Sequence, residues 1–336
     1  MKKKIIMFLG MIALLIVFAA CSNNEAVITP DPTPEATPEP TPEPVAEQEE
    51  PEYEPEELTA FVEIIDREGY TVSVPAEINT IISIGPANTE IIAALGFAGQ
   101  IISTDMFSGN VPGLAAGINV LDMMALDMEY IIDLGPDIVF VTGMTRVGGV
   151  DPMGPVVDMG ISVIHIPMSD TIANVMDDIR FIAYVLGAEG TGANIVEGME
   201  EAIAEIQSIA ATISEEKTVY FEVSPAPWMF SFGSGTFLNE MIELIGGINV
   251  FADQEGWLGV SDEQILELNP DVILTSTDFL DDPVAEIMER DGWDTITAVQ
   301  EGAVFQIDAD SSSRPSHNII AALREMAQAI YPDYFG

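Results

Sequence analysis

The chain is poor in cations. Its 336 residues hold 10 Lys and Arg against 56 Asp and Glu, for a formal net charge of −46 and a pI near 4.1. Phosphate backbones are held by clustered Lys and Arg, so nucleic acid is excluded as a general partner. A single cysteine excludes an intrachain disulfide and any cysteine-built zinc or iron–sulfur site. Two histidines do not make a His-rich metal site. Gly-x-Ser-x-Gly, His-Glu-x-x-His and Gly-x-x-x-x-Gly-Lys are all missing, and with them the common signatures of hydrolases, zinc proteases and nucleotide-binding loops. Apolar residues are plentiful at 48%, enough for packed cores, and the length suits about two ordinary domains.

The N-terminus points to export. Lys2, Lys3 and Lys4 precede an apolar stretch, Ile5 to Val17, broken only by Gly10. Phe18-Ala19-Ala20-Cys21 follows and resembles a bacterial lipobox, although Phe18 stands where an aliphatic residue is usual. An uncleaved anchor is the alternative reading. The run is short against the ~20 residues of a bilayer span, and the small residues before Cys21 suit cleavage. Residues 1–20 are therefore expected to be a signal peptide. Cys21 is expected to carry a lipid that tethers the mature chain to the outer side of the cell membrane. The mature chain then has 56 acids and seven bases: Lys217, Arg67, Arg146, Arg180, Arg290, Arg314 and Arg324.

Residues 22–57 hold nine prolines and twelve acids, with a recurring Thr-Pro-Glu-Pro pattern. Such a composition buries too little apolar surface to fold and favours an extended spacer. Residues 21–57 are therefore read as a lipidated cysteine and linker, with a cell-wall interaction segment as the weaker possibility.

From Leu58 the composition turns globular. Phe61–Ile65 and Tyr70–Val74 alternate around Asp66-Arg67-Glu68-Gly69 and predict a hairpin. Strand candidates at 81–84, 100–103, 137–142 and 161–166 follow, with a helix over 88–95, N-capped by Asn88 and stopped by Gly96. A long helix is predicted over about 193–213, where Ile195, Met199, Ile203, Ile206, Ile209 and Ile213 make one apolar face. A second series comprises strands at 218–223, 272–275 and 303–307 and helices at 239–245 and 318–329. The alternation predicts an α/β fold with parallel sheets.

One internal repeat organises this series. Glu129-Tyr-Ile-Ile-Asp-Leu-Gly-Pro136-Asp137-Ile matches Glu263-Gln-Ile-Leu-Glu-Leu-Asn-Pro270-Asp271-Val. Each copy reads as a short amphipathic helix running into a Pro-Asp that opens a strand. The copies are too far apart for a solenoid, and fit two lobes built on one plan. The expected boundaries are an N-terminal lobe at 58–190, an interdomain helix at 191–216 and a C-terminal lobe at 217–336.

Over 58–336 the chain resembles the substrate-binding proteins of bacterial ABC importers for iron complexes and vitamin B12. The resemblance is carried by Ser83-Ile-Gly-Pro-Ala-Asn-Thr-Glu90-Ile-Ile-Ala-Ala-Leu-Gly96, the two Pro-Asp segments, Val219-Tyr-Phe-Glu-Val, the stretch from Gly235 to Ala252, and Gly292-Trp293 with Ala298-Val299. It implies two Rossmann-like α/β lobes joined by one long stiff helix, with ligand between them. It also implies that Glu129 and Glu263 dock on the permease dimer of an importer that has its own ATPase. A carboxylate in a first helical turn also favours the helix dipole, and the two roles are compatible. The chain is then expected to be a monomeric binding protein with no catalytic residues and no cofactor. A surface sensor or an enzyme on the same scaffold are the other classes.

In open α/β sheets ligands sit beyond the carboxyl ends of the strands. The pocket segments are accordingly 85–88, 104–110, 143–149, 224–235, 276–282 and 308–317. Candidate ligand contacts are Met106, Met144, Arg146, Trp228, Met229, Arg314 and His317. The resemblance places Arg314 and His317 in an Arg-Pro motif, of which this chain keeps Arg314 and Pro315. His317 is read either as a donor to an anionic ligand or a ligand to iron, or as an exposed or capping residue; His165, inside an apolar strand, is read as structural. So few cations disfavour a highly anionic triscatecholate complex. Hydroxamate siderophores, haem and corrinoids demand less positive charge; the expected cargo is an iron complex, a siderophore or haem, delivered to a membrane permease, with a corrinoid as the alternative.

Overall fold

A computed structural model describes residues 61–146 and 149–336. The expected signal peptide, the lipidated Cys21 and the linker lie outside the described residues, and no described helix is long and apolar enough to cross a membrane.

The chain enters as a hairpin, β1 (Phe61–Ile65) paired antiparallel with β2 (Thr71–Pro75). The N-terminal lobe then lays down β3 (Ile81–Ser83), α1 (Pro86–Ile92), β4 (Ile101–Asp105), β5 (Asn119–Leu121), α2 (Met128–Leu134), β6 (Ile138–Thr142), α3 (Gly154–Asp158), β7 (Ser162–Ile166) and α4 (Ile172–Val185). The five strands from β3 to β7 form one parallel sheet in the order β5-β4-β3-β6-β7. Helices cover both of its faces, so its central strands read as unbroken apolar runs. In β6, Ile138 and Phe140 join one core layer while Val139 and Val141 join the other, and all four are fully buried.

The connecting helix α5 (Glu189–Ala210) follows, where the periodicity placed a helix over 193–213. Val196, Met199, Ala202 and Ile206 are its buried face, and Ile213 falls beyond its end. It packs on α4 of the first lobe and on helices of the second. At Gly192 a Cβ would come within 2.5 Å of the Ala183 Cβ, so only glycine permits this approach of α5 to α4.

The C-terminal lobe comprises β8 (Thr218–Glu222), β9 (Phe230–Phe232), α6 (Phe237–Leu244), β10 (Ile248–Asn249), β11 (Trp257–Gly259), α7 (Asp262–Leu268), β12 (Val272–Thr275), α8 (Pro283–Met288), α9 (Thr297–Glu301), β13 (Val304–Gln306), α10 (Ala309–Ser313), α11 (Ile319–Ile330) and α12 (Pro332–Phe335). Its sheet is a second, separate parallel one, in the order β10-β8-β12-β13. β9 and β11 form a small antiparallel pair beside it. Val219 and Phe221 face one core layer and Tyr220 the other. The architecture is therefore two α/β lobes, each with its own parallel sheet, joined by a long helix.

The repeat has a physical basis in both lobes. α2 and α7 each end on a left-handed residue, Gly135 (φ 57°) and Asn269 (φ 45°), which turns the chain into Pro-Asp. The aspartate then fastens the lobe's first strand. Asp137 accepts from the Asn79 and Thr80 N–H groups at 2.7 and 2.8 Å, and its own N–H donates to the Thr80 hydroxyl at 3.0 Å. Asp271 repeats this with Thr218, accepting from its N–H at 2.8 Å and donating to its hydroxyl at 3.0 Å.

Two local expectations change. α1 starts at Pro86 with Gly85 as its N-cap, not at Asn88. Proline suits the first helical position because its missing N–H would be unpaired there anyway. Asn88 instead lies buried inside the helix and donates to the Ile84 carbonyl at 3.0 Å. Helix α4 was not anticipated at all.

Candidate ligand-binding cleft

The carboxyl ends of the two sheets face a cavity of about 540 Å³. Each lobe brings its loops there for local reasons. After β3 the chain turns at Gly85 (φ 110°), where a Cβ would press against the Thr142 side chain at 3.1 Å. Buried Asp105, closing β4, accepts from the Gly85 N–H at 2.9 Å, the Phe107 N–H at 2.8 Å and the Ser108 hydroxyl at 2.6 Å. One carboxylate thus sets two cleft loops, a charge-assisted arrangement stronger than neutral pairing. The segment from Ile166 to Asp170 supplies the third N-lobe wall, and Val223, Ser276 and Ala309–Asp310 close the cavity from the C-lobe.

The walls are apolar and soft, with acids at the edge. Met123, Met144, Met168, Phe107, Phe237 and Trp257 line the cavity together with Asp170, Asp178, Asp278 and Asp310. Trp257 stacks parallel on Phe230 at 6.1 Å. Asp178 pairs with Arg67 Nε at 2.7 Å and with the Ser169 hydroxyl; burial nonetheless pushes its carboxyl above the ordinary range.

The candidate contacts divide. Met144 lines the main cavity. Met106 lines an adjoining recess of about 650 Å³ shared with Asn110, Asp278, Asp308 and Glu325. Arg314 lies between the two spaces and lines both. Its guanidinium is already engaged: Nη1 donates to Glu90 Oε1 at 2.9 Å and Asn110 Oδ1 at 3.2 Å, and Nη2 to the Phe107 carbonyl at 2.9 Å. Asp310 pairs with it as well.

The remaining candidates sit outside the cavity lining. Arg146 turns to the β1–β2 hairpin, pairing with Glu68 and, at 3.8 Å, with Asp151, its guanidinium 5.7 Å from the Tyr70 ring centre. Trp228 is 82% exposed, and it is Trp257 that reaches the cavity. Met229 points the other way, into the C-lobe core with Tyr220, Phe251 and Ile265. His317 is half-buried and lines neither space; its ring Nδ1 finds no hydrogen-bond partner among the described residues, and burial lowers its pKa. His165 holds its N-lobe position as a buried residue, Nδ1 3.2 Å from Asp66 and Nε2 2.8 Å from Asp151.

Glu129 and Glu263 occupy equivalent places, the first turns of α2 and α7, and both are exposed. Asp127 caps α2 by accepting from the Tyr130 N–H, and Ser261 with Gln264 forms a capping box on α7. The Glu263 backbone N–H and the Ser261 hydroxyl hold the Glu263 carboxyl below the usual range.

Sequence reasoning missed Glu90, Met123, Met168 and Trp257. The periodic pattern of α1 gave Glu90 no distinction from its neighbours, and the two methionines lie in loops where no pattern operates.

Comparison with known proteins agrees with this architecture. The family model described as periplasmic binding protein matches residues 81–311. YvrC of Bacillus subtilis, described as an uncharacterized ABC transporter substrate-binding lipoprotein, is 34% identical over 277 residues, covering 82% of this chain and 87% of that protein. The vitamin B12-binding protein of Vibrio cholerae is 24% identical over 256 residues, 75% of this chain and 88% of that one. A crystal structure from Staphylococcus epidermidis, described as a possible iron-binding periplasmic solute-binding protein, superposes with a TM-score of 0.67 at 27% identity, covering 76% of this chain and 99% of that chain. The chain belongs to the periplasmic binding protein family, a family of substrate-binding transport proteins.

Proposed function

We propose that this protein is the lipid-anchored, extracytoplasmic substrate-binding component of an ABC importer, and that it captures a corrinoid in the cleft between its lobes. The observation that carries the ligand is the cleft's chemistry. Its walls are methionine and aromatic side chains, its edge is acidic, and its cation Arg314 is already paired with protein groups. A corrinoid offers a large apolar face and neutral amides, and such a pocket holds a ligand by apolar contact with a few polar anchors. The kinship to a vitamin B12-binding protein supports the same reading.

An iron complex is the second reading. Met123, Met144 and Met168 line the cavity, and a thioether is an axial ligand for haem iron. A ferric hydroxamate also demands little positive charge. Delivery runs through Glu129 and Glu263, one exposed carboxylate per lobe, docking on the permease dimer with its ATPase; Cys21 holds the protein at the membrane.

The test is a thermal-shift series of the purified protein with cyanocobalamin, haem and a ferric hydroxamate. A true ligand at 100 times its dissociation constant adds ~2.7 kcal/mol of stability. Stabilisation by cyanocobalamin supports the corrinoid. Stabilisation by haem or the hydroxamate alone transfers the assignment to the iron complex. A flat response to all three overturns both.

A further inference from the structure

The segment from Arg314 to Asn318 is wrapped around one side chain of the opposite lobe. Glu90, on α1, is 6% exposed. Its Oε1 accepts from Arg314 Nη1 at 2.9 Å, and its Oε2 accepts from Asn318 Nδ2 at 2.9 Å and from the Ser316 hydroxyl. Ser316 is fully buried, and the Arg314 side chain keeps 11% of its surface exposed where it borders the cavity. A guanidinium, a hydroxyl and a carboxamide converging on one carboxylate form the arrangement with which a protein grips an anionic ligand. Here the carboxylate belongs to the chain, more than 220 residues away in sequence.

We infer that Glu90 is a specificity-determining residue: it acts as a built-in anion that fills the donor nest of the C-lobe, so that the cleft selects ligands presenting no negative group to it. The inference deepens the proposed binding function and rests on it for the identity of the cleft. Two consequences follow from the geometry. Arg314, which borders the cavity, has its charge balanced by Glu90 and Asp310 and does not attract a carboxylate or phosphate. The carboxylates lining the cavity without a cationic partner among the described residues are Asp170 and Asp278, which repel such a group further, whereas buried Asp178 is balanced by Arg67. A purely structural bridge would lower stability on mutation but would leave the ratio between neutral and anionic ligands unchanged.

The experiment has two arms. In the first, the purified protein and Glu90→Gln are titrated with cyanocobalamin, which is neutral, and with the same molecule carrying one side-chain amide hydrolysed to a carboxylate. The wild type is expected to prefer the neutral form by about tenfold or more, and Glu90→Gln to lose most of that preference. Equal affinity for the two forms in the wild type, or an unchanged preference in Glu90→Gln, overturns the inference. The second arm needs no corrinoid. Glu90→Ala leaves the nest empty, and sodium acetate is expected to raise its melting temperature well above the effect of sodium chloride at equal ionic strength, with no such difference in the wild type. If Glu90→Ala folds only in acetate, that is the same result. Acetate and chloride acting alike on Glu90→Ala overturns the inference. Failure of both corrinoids to bind counts against the corrinoid alone, and the acetate arm then decides the role of Glu90.

Discussion

Arg290 grips both carboxylate oxygens of Glu222, Nη1 to Oε2 at 2.8 Å and Nη2 to Oε1 at 3.1 Å, while its guanidinium lies 4.2 Å from the Trp293 ring centre. Glu222 closes β8 at the end facing the cleft and is 1% exposed. Burial pushes its carboxyl above the ordinary range, and Arg290 pulls it back only in part. Removing one partner of such a pair leaves an uncompensated buried charge.

Arg290→Met should therefore cost about 3–5 kcal/mol at neutral pH. The sign of its pH dependence follows from the raised carboxyl. Without Arg290, the folded state holds the Glu222 proton more tightly than the unfolded chain does, so stability falls as pH rises from the ordinary carboxylate range through the raised value. Urea melts of variant and wild type, at mildly acidic and at neutral pH, should show the smaller deficit in acid. Equal deficits would contradict this account of Glu222.

Trp228 and Met229 are chain neighbours with opposite surroundings. Trp228→Ala should change stability by less than about 0.5 kcal/mol, as exposed substitutions do. Met229→Ala should cost about 2–5 kcal/mol, because it empties a place in the C-lobe core. Denaturant midpoints measure both, and a stable Met229→Ala would show that the residue is not a core member.

Charge reversal at Glu129 and Glu263 together should abolish import while leaving the affinity for ligand unchanged, with a loss of stability of only about 1 kcal/mol per helix from the reversed charge at its N-terminus. Uptake by cells, set beside titration of the purified variant, separates these effects. Lost affinity would make the two glutamates structural, and unchanged import would favour the sensor or enzyme reading.

The architecture was legible where it rests on local pattern. Apolar runs marked seven of the nine strands of the two parallel sheets but not the short edge strands β5 and β10, the 3.6-residue period marked α5, and the Glu…Pro-Asp repeat marked two lobes, because Asp137 and Asp271 do the same work on Thr80 and Thr218. Helix α4 was missed although Thr171 caps it by accepting from the Asn174 N–H. Its buried Val175, Ile179 and Ile182 carry the period, but Asp177, Asp178 and Arg180 interrupt it.

The site was legible only as a set of loops. Arg314 was recognised as a cleft residue, but its pairing with Glu90 joins elements remote in sequence, and no local signal carries that contact. Arg146 illustrates the same limit: Glu68, its partner, lies in a hairpin turn on the other side of the N-lobe sheet's sequence. Met229 failed for a simpler reason. Beside an exposed tryptophan in a loop, the orientation of the next side chain has no period to fix it.

Equilibrium dialysis against cyanocobalamin decides whether the interlobe cleft holds a corrinoid. The wild type should saturate at one molecule per chain. Ala87→Trp, which places an indole in the cavity from α1, should melt as a folded protein and show no saturable uptake. Saturation in both proteins, or in neither, would contradict a corrinoid in the cleft.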